Sequence, residues 1–144
     1  MLEFQLPAED SRTLNRDRLL TALAGLGVRK VVVAYEGGGD SGDVSEVSVE
    51  PPELLPTLRT EMIELRCRIG EFEDGRYQYR TADQSMSLHQ AVSDFTLDWV
   101  GDTHGGWESN EGGSGSVTID VVAGTLKLEH TEYFTESQDY VHEL

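Results

Sequence analysis

One cysteine stands in the 144 residues, Cys67, so no disulfide can close within the chain. None is needed at this length, because a domain of this size buries most of the surface its unfolded chain exposes. Two readings of the lone thiol are open. It is a small apolar filler, or a nucleophile activated by Arg66 and Arg68 on either side. On a strand those two neighbours point to the opposite face, which weakens the second reading. Basic residues are also scarce, 11 against 27 acidic, for a formal net charge of -16. Such a surface repels nucleic acid and anionic lipid. No stretch approaches the 18 apolar residues of a membrane span. Met1 to Pro7 lacks the basic cluster and apolar run of a signal peptide. These absences lead to the expectation of one soluble, cytoplasmic domain over residues 1–144, with no membrane and no direct nucleic-acid binding.

What is present reads as hairpins and two helices. Leu19, Leu20, Leu23 and Leu26 recur at helical spacing, which predicts a helix over 14–26 with Asn15 as N-cap and Gly27 as its stop. Arg29 to Tyr35 and Val44 to Glu50 read as strands around a glycine-rich acidic loop, 36–43. Pro51, Pro52 and Pro56 break the chain. Ile63, Leu65, Cys67 and Ile69 alternate with Glu64, Arg66 and Arg68, predicting a half-buried strand with the first set inward. Asp74-Gly75 predicts a tight turn into a return strand, 76–80. Ser87 is the expected N-cap of a helix to Val100, with Leu88, Ala91, Val92, Phe95 and Trp99 as its apolar stripe, ended by Gly101. A glycine-rich acidic loop, 102–115, precedes a last hairpin, 116–122 and 125–134, and a polar tail. The expected fold is α+β: a single antiparallel sheet of about six strands with both helices on one face.

Three stretches carry a resemblance: VVVAYEGGGDSGDV at 31–44, HGGWESNEGGSGSVTIDV at 104–121 and LKLEHTEYFTE at 126–136. With the terminal HEL, they resemble an uncharacterised bacterial domain family of unknown function found on plasmids and integrative mobile elements. Gly113-Ser114-Gly115 is richer in glycine than the usual family form. The resemblance implies an α+β fold, a bacterial origin and a mobile-element or defence-related setting. It implies no activity and no catalytic residues.

Several motifs fail on inspection. Gly39-Asp40-Ser41-Gly42 has the look of a serine-protease GDSG, but no histidine precedes residue 89. Read as an EF-hand from Asp40, the loop has Ser45 where glycine is required. No Lys-Ser/Thr pair follows the glycines, so it is no phosphate loop.

Two function classes remain. The first is a non-catalytic acidic module that docks on a basic protein surface through Asp40, Asp43, Trp107, Glu108 and Glu111. It rests on residues 81–144, where twelve acidic side chains face one basic group, Lys127. Trp107 reads either as an exposed anchor or as a ring folded back on the sheet edge. Glycine-rich acidic loops of this kind belong at the sheet periphery, exposed and without a cofactor or bound transition metal. The second class is a metal-dependent hydrolase using His104, Glu108, His130 and Glu132, since imidazoles and carboxylates together suit a divalent ion. Convergence of those four side chains in space is what separates the two.

Overall fold

A computed structural model describes residues 8–38, 41–104, 112–133 and 140–142. The elements run α1 (Ala8–Gly25), β1 (Lys30–Gly38), β2 (Ser41–Glu50), a 3-10 turn (Pro52–Leu54), α2 (Leu55–Thr60), β3 (Met62–Glu73), β4 (Arg76–Ser87), α3 (Leu88–Thr103), β5 (Gly113–Asp120) and β6 (Thr125–Glu132). The fold is α+β, as the hairpin pattern predicts.

The strands do not form one six-stranded sheet. Four make an antiparallel sheet in the order β2-β1-β5-β6, and β3 and β4 pair only with each other. The reason lies at the outer edge of β3. Asn15 of α1 lays its side-chain amide along that edge, accepting from the Arg66 N–H at 2.7 Å and donating to the Arg66 carbonyl at 2.9 Å. Arg18 donates to the Glu64 carbonyl beside it. Helix side chains thus take the positions a fifth strand would need. Asn15 is therefore no N-cap. The helix begins earlier, at Ala8; its first two turns carry little apolar period, so hydrophobic spacing does not reveal them.

The other end of α1 follows the sequence. Gly27 sits at φ 81°, where glycine carries no Cβ penalty. The Val28 N–H reaches the Leu23 carbonyl and the Gly27 N–H the Ala24 carbonyl, which is a Schellman closure. Ser87 caps α3 as expected, its hydroxyl accepting from the Gln90 N–H at 3.1 Å. Gly101 does not stop α3, which continues to Thr103. Pro56 falls in the first turn of α2, where its missing N–H costs nothing.

One face of the four-stranded sheet is dry. Val31 and Val33 of β1, Val49 of β2, and Val117 and Ile119 of β5 are buried there. Leu19 and Leu23 of α1 and Leu88, Ala91, Val92 and Phe95 of α3 join the same cluster, α3 lying against β1 and β2 and α1 against α3 and β3. On β3 the period of two holds in part. Leu65 is buried, while Ile63, Cys67 and Ile69 are only half-buried: Ile63 and Cys67 pack at the margin of the core, and at Ile69 the hairpin has run beyond it. Cys67 keeps its thiol near the Leu65 carbonyl at 3.6 Å. Burial, then Asp98, Asp94 and Asp83, push that thiol up. It is a filler, as its strand position suggests.

Candidate metal centre

The site is built from a row of residues across three strands. Tyr35 on β1 stands opposite Gly115 on β5, and Gly115 stands opposite His130 on β6. Directly paired residues point to the same face, so Tyr35 and His130 flank a position with no side chain. Across that gap the Tyr35 hydroxyl reaches His130 Nδ1 at 2.5 Å. A Cβ at Gly115 would lie 2.7 Å from Tyr35 Cζ and closer still to its Oη and to the Glu129 carbonyl oxygen. The glycine is a clearance that lets the phenol pass. Two residues on, Gly113 stands opposite Glu132, and a Cβ there would press on the Thr131 carbonyl and come within 3.4 Å of His130 Cε1. The sequence reading placed Gly113–Gly115 in a loop. They are the first residues of β5.

Helix α3 supplies the third side of the site. Val100 is fully buried against Tyr35, which pins the last turn of α3 over this end of the sheet. One turn later His104 caps the helix, its N–H donating to the Val100 carbonyl at 2.7 Å. The His104 ring then stacks on His130 with centroids 4.2 Å apart. Glu132 Oε1 lies 3.5 Å from His130 Nε2 and 3.7 Å from His104 Nδ1. One ligating atom from each of the three lies within 4.8 Å of the others.

The environments differ usefully. The His130 side chain is 3% exposed, His104 37% and Glu132 58%. Burial, then the His104 ring, hold His130 below the usual imidazole range, against the pull of Glu132. It is therefore neutral near pH 7, the form that ligates metal. Burial pushes the Tyr35 phenol up to about 12, so it stays protonated. With Nδ1 held by a phenol, the ring orientation is set by an outer partner, the usual arrangement around ligating histidines. A tetrahedral ion with bonds of about 2.1 Å separates its donors by roughly 3.4 Å. Two of the gaps already match, and the third, between the two imidazoles, lies within 4.8 Å.

Three of the four proposed metal ligands are thus brought together: His104, His130 and Glu132. The fourth, Glu108, lies outside the described residues, as do Asp40, Trp107 and Glu111 of the proposed docking set. Asp43 is exposed at the β1–β2 end, its carboxylate accepting from the Val44 N–H at 2.7 Å. Tyr35 was missed by the sequence reading. Its signal was the alternation of glycine at 113 and 115, which on a strand clears one face.

No curated protein and no solved structure matches the chain. A family profile, described as a family of unknown function, matches residues 11–144. That span covers nearly all of the sequence, and the chain belongs to this family, DUF6878.

Proposed function

We propose that this domain binds a divalent first-row transition-metal ion through His104, His130 and Glu132. The carrying observation is their convergence: one ligating atom from each, all within 4.8 Å, on a face cleared by glycine and backed by Tyr35. Two imidazoles and a carboxylate select zinc or its neighbours over calcium or magnesium, which take oxygen ligands. Three protein donors leave an open position, where a bound ion lowers the pKa of water and suits hydrolysis. The test is titration of the full chain with zinc by calorimetry, alongside His130→Gln. One equivalent bound by the parent and none by the variant is expected. Equal heats from both would sink the proposal.

A second reading rests on charge. Residues 81–144 carry twelve acidic groups and one basic, which favours docking on a basic protein surface, with Asp40, Asp43, Trp107, Glu108 and Glu111 as contacts. A nucleic-acid-handling partner in a bacterial mobile-element or defence-related setting fits that chemistry. Pull-down with the parent and with those carboxylates changed to amides separates it from metal binding. Loss of a partner with unchanged zinc uptake supports docking, and an unchanged set of captured proteins refutes it.

A further inference from the structure

The four-stranded sheet ends on two edges, β2 and β6. An open edge is a row of backbone donors and acceptors on which another strand can pair. β2 is poorly suited to pairing with itself. It carries Asp43, Glu46 and Glu50 and no basic residue, its register with β1 skips Ser45, and the 3-10 turn packs against it. β6 differs on each count. Its pairing with β5 runs from Thr125 to Glu132 without a shift, and it holds no glycine or proline. It also carries Lys127, the one lysine or arginine in residues 81–144.

Two hydrogen bonds fix which backbone groups of β6 point outward. Paired residues of an antiparallel ladder alternate between those that exchange hydrogen bonds and those that do not. The Tyr133 N–H donates to the Gly112 carbonyl, in register with the ladder, so Thr125, Lys127, Glu129 and Thr131 exchange bonds with β5. The Val121 N–H donates to the Arg29 carbonyl, which turns the odd-numbered residues of β5 toward β1 and agrees. The N–H and carbonyl groups of Leu126 and Leu128 therefore point away from the sheet. Their side chains lie against the core yet are only half-buried. On the opposite face Lys127 bridges Glu129 of its own strand at 3.0 Å.

We propose that two copies of the chain associate through β6, antiparallel about a two-fold axis at Leu128, joining their sheets into one. The Leu128 backbone of each copy then exchanges hydrogen bonds with that of the other, and the two leucine side chains meet on the core face. Charge selects both the occupant and the register. Lys127 of one copy stands opposite Glu129 of the other, twice, so the two bridges within the strands become a ring of four alternating charges. These are pairs without backbone bonds, whose Cα atoms approach to about 4.5 Å and whose side chains lie closest. Sliding one strand by two residues sets lysine on lysine in one direction and glutamate on glutamate in the other. In the proposed register Thr131 falls opposite Thr125 and Glu132 opposite Gly124, so no like charges oppose each other along the strand. Copies carrying -16 repel one another in general, which makes the association weak and dependent on concentration.

Sedimentation of the full chain over a concentration series, with chelator present to keep metal out of the result, tests this. A monomer–dimer equilibrium is expected. Hydrogen exchange at the Leu126 and Leu128 amides should slow as concentration rises. Lys127→Glu and Glu129→Lys should each weaken the dimer about tenfold or more, because each sets two like-charged pairs across the axis. An equimolar mixture of the two variants should dimerise again, since every pair across the axis is then opposite in charge. The two side chains are 74% and 66% exposed, so thermal melts of the dilute variants should match the parent and exclude misfolding. A monomer at every concentration overturns the proposal, whether or not another protein is captured. So does a dimer indifferent to both substitutions, a mixture no better than either variant alone, or exchange at Leu128 that ignores concentration.

Discussion

Gly115→Ala isolates the clearance on which the site depends. The added methyl meets the Glu129 carbonyl oxygen, a backbone atom in a paired strand, and the Tyr35 ring, with Cζ at 2.7 Å. Neither is the free end of a flexible side chain. Overpacking of this kind costs about 1–3 kcal/mol. Tyr35 is 1% exposed, and if its ring moves, its hydroxyl loses the His130 bond. Loss of that hydrogen bond adds about 0.5–1.5 kcal/mol. The two together come to roughly 1.5–4.5 kcal/mol, or a fall in melting temperature of about 5–15 °C for a domain near this size. The assay is urea or thermal unfolding followed by circular dichroism. Gly25→Ala is the control, since a Cβ at Gly25 meets nothing within 4 Å. It should leave stability unchanged or raise it slightly. Equal melting temperatures for Gly115→Ala and the parent would refute the argument that glycine makes room for the phenol.

Asn15→Ala should cost about 1–3 kcal/mol, because it strips both partners from the Arg66 backbone. Hydrogen exchange should quicken at the Arg66 amide and not at the start of α1. Ser87→Ala should cost about 1 kcal/mol by loss of the α3 cap, read from the same unfolding curves. Asp83 receives hydrogen bonds from Arg18 and Arg66, which hold its carboxyl below the usual range. The stability it contributes is full above the unfolded value near 3.9 and is lost as pH falls through the folded one. Asp83→Asn should therefore flatten the acid limb of stability against pH. Burial, then Asp94 and Asp102, push the Asp98 carboxyl up. Its ionised form is penalised in the fold, so Asp98→Asn should raise stability at pH 7 and lose that advantage in acid.

Elements with a local chemical signal were legible in the sequence. The Ser87 cap, the Gly27 stop and the Asp74-Gly75 turn each follow from neighbours a few residues apart. What failed was non-local. Nothing local to Asn15 shows that its amide will bind the edge of β3, 51 residues away. Hence a separate two-stranded sheet was read as part of one. The site divides the same way. His130 and Glu132 share a strand face by period, and His104 follows a helix end, so their residue types were visible. Their meeting depends on α3 running three residues past Val100, through a glycine that commonly ends helices. Tyr35 was hidden because its partner lies two strands away, across residues that read as loop.

Histidine imidazole nitrogen shifts, followed by NMR as zinc is added, test the central claim most directly. The chain has four histidines: His89, His104, His130 and His142. Coordination should move the ring nitrogens of His104 and His130 together, saturating at one equivalent, with His89 and His142 as internal controls. Shifts at His89 or His142 instead, or four rings indifferent to zinc, would contradict the proposed centre.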